Sequence, residues 1–429
     1  MKILEYKKCE NEITVRLLGF DIMIERSDYT AYNRTQSFLG GLVKTVKLND
    51  PYQEHSKKDI KILGLSIIRR IEENNYRDYY LFNRKVYSVS LMQVFKRKYF
   101  KYFDKQYDDI YILYANSGEI YLILTYIINS LFKKNNSKKP LLAATKKYHI
   151  DMIKMICPDI PHIYIGSFDV KITGGSFKID DFRFLILFSK AKLKTAEMNI
   201  KKDNKAEHHY FKSILNRLNM TEQDIEMNKI KLLPEIENSM LEKVSKTGLN
   251  LDRFVFLAPE ALSCKLYDED FWCLLINKLQ DKGYEVFVNL AKNDIKLKGA
   301  VDYKKCGLSY AEAFALAKRA KKIVSLRSGF TEFLLQTGVS MDVLYTKFRL
   351  RNFFEDMDIY HVMSGFALSK LPFVDKTKIR EFNMFEVSQK ECLDEILDGL
   401  SGTSAVNSEN TADIPKNTKS EKQTLLEAE

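Results

Sequence analysis

Residues 323–334 read Ile323-Val-Ser-Leu-Arg-Ser-Gly-Phe-Thr-Glu-Phe-Leu334. The mainly apolar run from Ile323 to Leu326 predicts a buried strand. The chain then turns at the Ser-Gly pair, and the residues after it predict a helix. A strand that passes through a tight turn into a helix is the unit from which parallel sheets are built. This stretch therefore predicts an α/β fold.

Similar strand and helix patterns occur on both sides of it. A first series has strands at Asp109–Tyr114, Pro140–Thr145, His162–Ile165 and Phe182–Phe188, with helices at Ile120–Phe132 and Ile150–Ile156. A second series has strands at Arg253–Leu257, Glu285–Asn289, Ile323–Leu326 and Val343–Thr346, with helices at Asp268–Asp281, Tyr310–Lys322, a stretch ending near Gln336, and Glu391–Leu400. Repeated βα units imply a parallel sheet with helices on both faces. We therefore predict two Rossmann-like, doubly wound domains facing a cleft.

The first hundred residues follow a different pattern. Three segments have β-branched and aromatic residues on either side of a residue that tolerates positive φ, and each predicts a β-hairpin. They are Val15–Arg26 around Gly19, Ile60–Ile71 around Gly64, and Tyr80–Tyr87 around Asn83. We read them as a hairpin-rich N-terminal extension.

The predicted organisation has five parts. They are a basic hairpin-rich extension (1–104), a first Rossmann-like domain (105–225), an interdomain linker (226–250), a second Rossmann-like domain (251–400) and a tail (401–429). The tail is rich in Ser, Asn, Thr, Glu and Lys and is expected to be disordered. In open α/β sheets a ligand binds at the carboxyl ends of the strands, so chemistry is sought there.

Composition excludes several classes of protein. The chain has 429 residues, of which 45% are hydrophobic and 29% charged, which is typical of globular proteins and excludes a disordered or fibrous chain. The net charge is +11, and residues 1–150 hold the whole excess, with 27 basic and 16 acidic residues. Such a bias favours polyanionic partners, namely nucleic acid, an anionic membrane or a phosphorylated substrate.

Cysteine usage and hydropathy indicate the compartment. The six cysteines are scattered without a regular spacing, which favours reduced thiols in the cytoplasm. Met1–Glu12 is too charged for a signal peptide, and the most apolar run, Ile120–Ile128, is shorter than the roughly 20 residues of a membrane span. We expect a cytoplasmic protein.

The turn after Leu326 is the first candidate site. Backbone N–H groups of Ser328, Gly329 and Phe330 at a helix start would attract an anion. Arg327 could add a charge-assisted contact to a diphosphate, and Glu332 could accept hydrogen bonds from a ribose. The alternative is an ordinary strand-to-helix turn in which Arg327 and Glu332 pair on the surface.

The loop after the first strand of the second series is another candidate. It reads Leu257-Ala-Pro-Glu-Ala-Leu-Ser-Cys-Lys265 and lies at the same predicted sheet edge. Pro259 and Glu260 belong to this edge, and Ser263 and Lys265 could reach a phosphate. A solvated loop is the alternative interpretation.

The corresponding loop of the first series is Asn116-Ser117-Gly118-Glu119. A carboxylate at a helix N-terminus that faces a cleft can act as a general base toward a hydroxyl group. Glu119 is therefore a candidate base. Alternatively, it only neutralises the helix dipole.

Together these loops resemble GT-B glycosyltransferases, particularly the heptosyltransferase-like families of bacterial surface-polysaccharide assembly. The family's Gly-Asp at the first βα turn is matched by Gly118-Glu119, and its strand, Pro-containing loop and helix by Phe254–Leu279. Its late Asp-Ser-Gly-x-x-His turn corresponds to Arg327-Ser328-Gly329-Phe330-Thr331-Glu332. Arg stands in place of the family's Asp, and Glu in place of its His.

The resemblance implies a function. A nucleotide-sugar donor would bind the second domain through 327–332 and 259–265, and a surface-glycan or lipid-linked acceptor would bind near Asn116, Ser117 and Gly118, with Glu119 as the base. It implies no cofactor and no metal, and a role in capsule or lipopolysaccharide synthesis at the inner face of the membrane. A non-catalytic polyanion- or glycan-binding protein with a degraded transferase fold is the alternative.

Three further signals have plain interpretations. One helical face carries the aromatic residues Phe95, Tyr99 and Phe103, with lysines around them. This face could lie on an anionic membrane, stack on nucleic acid or pack on the core. We expect no nucleic-acid partner. Asp356-Met-Asp358 predicts a solvated loop. His208 and His209 are adjacent, so on a helix they diverge and cannot bind one metal ion together.

Overall fold

A computed structural model describes most of the chain. The described residues are 4–9, 12–17, 20–28, 33–38, 43–48, 56–63, 65–73, 76–103, 106–114, 116–166, 176–179, 182–187, 209–261, 264, 266–290, 297–302, 306–346, 363 and 365–401. The predicted tail beyond Ser401 and the Asp356–Asp358 loop lie outside them. No helix among these residues combines the length and the apolar character that crossing a bilayer requires.

The N-terminal extension is one antiparallel sheet in which each strand pairs with the next in sequence. Its strands are β1 (Leu4–Cys9), β2 (Glu12–Leu17), β3 (Phe20–Asp28), β4 (Asn33–Phe38), β5 (Val43–Leu48), β6 (Ser56–Ile62), β7 (Leu65–Glu73), β8 (Tyr76–Leu81) and β9 (Arg84–Ser90). The three predicted hairpins are confirmed as β2–β3, β6–β7 and β8–β9. The sequence pattern did not indicate that further strands join them into a nine-stranded sheet.

The aromatic–basic segment after β9 packs on the core. Helix α1 (Leu91–Tyr99) begins at the N-cap Ser90 and is followed by a 3₁₀ turn (Phe100–Tyr102). Phe95 and Tyr99 are fully buried in a cluster with residues of the first α/β sheet, and Phe103 stacks on Phe95 at 6.5 Å. This aromatic face is therefore not available to a membrane or to nucleic acid, and the core-packing interpretation is correct.

The first α/β domain has the predicted parallel sheet. Its strands are β10 (Asp109–Leu113), β11 (Pro140–Ala144), β12 (His162–Tyr164), β13 (Ser176–Ile179) and β14 (Phe182–Leu187), in the order β12-β11-β10-β14-β13, and only the edge strand β13 is antiparallel. Its helices are α2 (Ser117–Leu122), a π-helical turn (Ile123–Ile127), α3 (Ile128–Lys134) and α4 (Lys147–Ile156). Ser117–Glu119, predicted as a turn, is the first turn of α2.

The second α/β domain is doubly wound. Its strands are β15 (Phe254–Ala258), β16 (Glu285–Val288), β17 (Val301–Asp302), β18 (Lys322–Leu326), β19 (Met341–Tyr345) and β20 (Ile379–Asn383). The order β17-β16-β15-β18-β19-β20 is all parallel and is that of a Rossmann fold. The described helices from residue 209 onward are α5 (Tyr210–Arg217), α6 (Pro234–Ser245), α7 (Glu269–Asp281), α8 (Tyr310–Ala317), α9 (Gly329–Leu334) and α10 (Gln389–Ser401). The predicted fold class is confirmed.

One helix boundary in this region was predicted wrongly, and two strands and one helix were not predicted. Helix α8 ends at Ala317 and not at Lys322, because Lys322 opens the buried strand β18. A capping box of Ser309 with Glu312 holds its N-terminus. Strand β20 and helix α6 were missed because both sequences are mixed in polarity, and strand β17 was missed because it has only two residues.

Residues 225–232, most of which lie in the predicted linker, contact both domains. The π-helical turn leaves the carbonyls of Leu124 and Thr125 free of their usual helical partners, and Asn228 donates to both, at 2.8 Å. Gln336, in the turn after α9, accepts from the Ile230 N–H at 2.8 Å and donates to the Asn228 carbonyl at 3.2 Å. Asn228 therefore connects the long helix of the first domain to the second domain.

A buried ion cluster ties α10 to the second sheet. Asp342 on β19 pairs with Lys322 at 2.8 Å and with Arg380 through two contacts of 2.7 and 2.9 Å. Asp342 and Lys322 are almost fully buried. Gly399 lies so close that a Cβ there would meet the ends of both basic side chains.

We expect Asp342→Asn to destabilise the fold strongly. The change leaves the Lys322 ammonium buried without its carboxylate partner, and such a loss costs about 3–5 kcal/mol. The free energy of unfolding from urea denaturation measures it. Glu242→Gln, which breaks the exposed pair with Lys246, is the control and should have little effect. Similar stability of both variants would contradict a stabilising role for the cluster.

Candidate functional site

The predicted site residues follow the central strand of each sheet. In the second sheet the strand order reverses between β15 and β18, and the loops after these two strands begin at Pro259 and Arg327. Such a switch point is where open α/β sheets bind ligands. In the first sheet β10 is also central and leads to Asn116 and α2. The two carboxyl edges face each other, because α2 packs against α9.

The N-termini of α2 and α9 meet at two glycines. A Cβ on Gly118 would overlap the Glu332 carboxylate, and a Cβ on Gly329 would overlap the backbone of Gly118 and the Ser117 hydroxyl. Only residues without a side chain allow the two helix starts to approach so closely. The structure thus brings together the predicted acceptor-side turn 116–119 and the predicted donor-side turn 327–332.

A buried polar network fills the space between these helices. The Glu332 carboxylate accepts from the Arg327 guanidinium and from the Tyr210 hydroxyl. Arg327 also donates through Nε to the Phe366 carbonyl and through Nη1 to the Ser328 carbonyl, both at 3.0 Å. Arg327 and Glu332 are 7% and 2% exposed, so their pairing is buried and does not occur on the surface.

The turn after Arg327 is held by its own hydroxyl groups. Ser328 and Thr331 form a capping box: the Ser328 N–H donates to Thr331 Oγ1 at 3.1 Å and the Thr331 N–H to Ser328 Oγ at 3.2 Å. Thr331 is fully buried and also contacts Ser325 Oγ at 2.7 Å. The Phe330 ring packs on Tyr310 at 4.9 Å. The amides of Gly329 and Phe330 remain as first-turn donors that have no acceptor within the helix.

Glu119 has the electrostatic environment of a reactive carboxyl group. It lies in the first turn of α2 and is half-buried. Burial raises its pKa, and the nearby Glu332 carboxylate raises it further, although Lys146 and Arg327 oppose the shift. A carboxylate with a raised pKa is a stronger base than an ordinary glutamate.

Two residues beside Glu119 come from the start of α4: Lys146 is its N-cap and Tyr148 lies in its first turn. Lys146 Nζ donates to the Tyr148 hydroxyl at 2.9 Å and to the Asn116 side chain at 3.5 Å. Burial, and then Glu119, raise the pKa of Tyr148. Tyr148 stacks on Tyr310 of the second domain at 5.5 Å. Sequence reasoning missed both, although they follow the carboxyl end of β11, the parallel strand next to β10.

The loop after β15 lies beside the Arg327 turn. Pro259 is buried and Glu260 half-buried. The Cys264 thiol donates to the Arg327 carbonyl at 3.2 Å, which connects the two predicted donor-binding loops. Ser263 and Lys265 lie outside the described residues.

His209 has a structural role. Its Nδ1 accepts from the Phe211 N–H at 3.3 Å, so its Nε2 carries the proton and donates to the Ala367 carbonyl at 2.9 Å. Burial, with a smaller effect of Arg327, lowers its pKa to about 3, and the ring is neutral. Within the described ranges no three His, Cys, Asp or Glu side chains are grouped as metal ligands.

Comparison with known proteins finds similar solved structures only. No protein-family model and no curated protein matches the chain. The ADP-heptose LPS heptosyltransferase II of E. coli is 10% identical, with 70% of this chain and all of that chain covered and a TM-score of 0.43. A family 9 glycosyl transferase of Veillonella parvula is 11% identical, with 71% and 91% covered and a TM-score of 0.40. The dodecameric, iron-containing glycosyltransferase TibC of enterotoxigenic E. coli is 12% identical, with 81% and 86% covered and a TM-score of 0.43.

We expect Gly118→Ala to weaken the contact between the two domains. The added methyl group overlaps the Glu332 carboxylate, and overpacking of this kind costs about 1–3 kcal/mol. Urea denaturation of a double-mutant cycle with Glu332→Ala measures the coupling. The cost of Gly118→Ala should be smaller when Glu332 is already shortened. An equal cost in both backgrounds would show that the carboxylate does not limit the approach of the helices.

Proposed function

We propose that the protein is a glycosyltransferase of the GT-B type that transfers a sugar from a nucleotide-sugar donor to a surface-glycan or lipid-linked acceptor. The observation that carries this proposal is the Glu119 carboxyl group, whose pKa is raised at the carboxyl edge of one sheet, directly opposite the switch point of the other. Capsule or lipopolysaccharide assembly at the inner face of the membrane is the proposed setting.

Glu119 is the proposed base. In its ionised form it would accept the proton of the acceptor hydroxyl while that oxygen attacks the anomeric carbon, and the nucleoside diphosphate would leave with the electrons of the broken bond. Lys146 would favour the ionised form, since it lowers the pKa of Glu119. The acceptor would approach from the side of Asn116, Ser117 and Gly118.

The donor would lie against the second domain. Arg327 and the amides of Gly329 and Phe330 would stabilise the charge of the leaving diphosphate, with Pro259, Glu260, Ser263 and Lys265 on the adjoining loop. Since the Glu332 carboxylate fills the space between the helix N-termini, donor entry requires the α2–α9 contact to separate. This charge stabilisation would come from the chain itself, without a metal ion.

A second candidate is a non-catalytic glycan- or polyanion-binding protein that retains a transferase fold. One observation favours it: Arg327 already donates to Glu332, to Tyr210 and to two carbonyls, and this leaves little capacity for a diphosphate. Nucleotide binding and turnover separate the two candidates.

A nucleoside diphosphate should raise the melting temperature in the presence of EDTA. A ligand at about 100 times its Kd stabilises the native state by about 2.7 kcal/mol. The diphosphates ADP, UDP and GDP and the monophosphate CMP are compared by thermal shift, with the parent nucleosides as controls that lack phosphate. Parallel samples contain Mg²⁺, Mn²⁺ or Fe²⁺, because one similar structure is iron-containing. Stabilisation that requires a metal would contradict metal-independent binding.

Glu119→Gln should lower turnover by about 10²–10⁴-fold, because the amide cannot accept the proton. Release of nucleoside diphosphate from the best-binding sugar donor measures the rate. In the wild type the rate should rise with pH as Glu119 loses its proton, with a midpoint above the ordinary 4.5. The variant should lack this rise.

Stability and a matched control distinguish catalysis from a dipole effect. A raised folded-state pKa means that ionised Glu119 destabilises the fold at neutral pH, so Gln should leave the melting temperature unchanged or higher. Glu235→Gln alters an exposed glutamate in the first turn of α6 and should retain full turnover. A Glu119→Gln rate within threefold of wild type would eliminate Glu119 as the base.

A further inference from the structure

The strands of the N-terminal sheet have two ends at which hairpins close, and these two ends of the sheet differ in polarity. At one end the pairs that close the hairpins are Leu17 with Phe20, Phe38 with Val43, Ile62 with Leu65, and Leu81 with Arg84. At the other end they are Cys9 with Glu12, Asp28 with Asn33, Leu48 with Lys57, and Glu73 with Tyr76. Seven of the eight residues at the first end are apolar, and we call it the apolar end. The second end carries most of the charges, and we call it the polar end.

The apolar end of the sheet points away from the α/β domains. Strand β9 ends at Ser90 at the polar end, and the next residue, Leu91, is buried in the core that α1 forms with the first α/β sheet. Strand β9 begins with Arg84 at the apolar end. Seven residues at about 3.3 Å each place the two ends of the sheet roughly 23 Å apart.

Side chains at the last two hairpin turns form an exposed apolar surface. Leu63 is 73% exposed, Leu65 69% and Phe82 64%. The Phe82 N–H donates to the Ile67 carbonyl at 2.9 Å, so the turn of the last hairpin lies against β7. With Ile62, Ile68 and Leu81, which are 40–45% exposed, these residues form the apolar tip.

The backbone at this tip is strained. Leu63 has φ 52° and Phe82 has φ 47°, in the left-handed region that bulky residues rarely adopt. Gly or Asn would form these two-residue turns more readily. Neither side chain is buried, so internal packing does not compensate for the strain. Strained, exposed residues of this kind are found at functional surfaces.

Basic residues outnumber acidic ones around the tip, although Asp59 pairs with Arg69 and Asp78 with Lys85. Residues 60–71 and 79–88 contain Lys61, Arg69, Arg70, Arg84 and Lys85 and no Asp or Glu. Arg84 and Lys85 are exposed. Apolar side chains backed by cations suit the boundary between the headgroups and acyl chains of an anionic bilayer.

We propose that the apolar tip, Ile62, Leu63, Leu65, Ile68, Leu81 and Phe82, inserts into the surface of an anionic membrane. Protruding aliphatic and aromatic residues with a cationic rim can enter a fluid surface without a matching pocket, and this favours lipid over a protein partner. The surface is distinct from the buried face of α1, and the proposal does not depend on the proposed function.

Vesicle co-sedimentation tests the proposal with the full chain. Wild-type protein should bind vesicles with about 30% phosphatidylglycerol more strongly than pure phosphatidylcholine vesicles, and salt should weaken binding. Leu63→Asn with Phe82→Asn should reduce binding at least about tenfold. Because Asn accepts positive φ, the melting temperature of this variant should be equal or higher, which separates lost binding from misfolding.

Two further variants serve as control and sensor. Phe385→Asn removes an aromatic ring that is 59% exposed on the second domain and should leave vesicle binding unchanged. Phe82→Trp should show a blue-shifted emission with anionic vesicles, and the one native tryptophan, Trp272, is buried and contributes a constant signal.

Three results would overturn the proposal. One is wild-type protein that does not sediment with anionic vesicles, and another is a double Asn variant that binds as well as wild type. The third is self-association of wild type, measured by light scattering, that the double Asn variant loses while vesicle binding is absent. That last result would assign the tip to contact between copies of the chain.

Discussion

The positive ends of two helix dipoles point at each other where the α/β domains meet. Each helix N-terminus has the effect of about half a positive charge, and the Arg327 guanidinium adds a full charge. The carboxylates of Glu332 and Glu119, one in the first turn of each helix, balance them. Glu332 accepts hydrogen bonds from Arg327 and Tyr210, whereas burial and Glu332 itself raise the pKa of Glu119. The same arrangement that closes the domains therefore makes one of its two carboxyl groups basic.

An anionic ligand would have to compete with Glu332 for these positive groups. The competition is not purely electrostatic, because aromatic residues of both domains pack beside the glycines: Tyr121 contacts Phe333 edge-on at 6.1 Å, and Tyr148 stacks on Tyr310. Separating α2 from α9 exposes these rings to water, which opposes opening. Asn228 is hydrogen-bonded to both domains, so its contacts also oppose their separation.

Features set by neighbouring residues were predictable from the sequence, and features set by distant ones were not. The βα units and the hairpins depend on local periodicity and turn chemistry, so their prediction was correct. The burial of the Arg327–Glu332 pair depends on Tyr210, which comes from a different part of the chain. The sequence pattern placed Lys322 at the end of a helix, whereas in the structure Lys322 begins a buried strand and pairs with Asp342.

The N-terminal sheet is held together differently from the two α/β domains. Among its described side chains, Val89 is the only buried hydrophobic one. Its hydrogen-bonded ladders are instead supported by contacts between neighbouring strands, such as Asp59 with Ser66 and Arg69, and Tyr79 with Tyr87 at 5.8 Å. Strands whose described side chains form so little core usually need another surface to cover them. At the polar end of the sheet, α1 anchors the sheet to the first domain. At the apolar end, exposed apolar side chains remain. The sheet is thus built to connect the α/β body to a second surface about one strand length away.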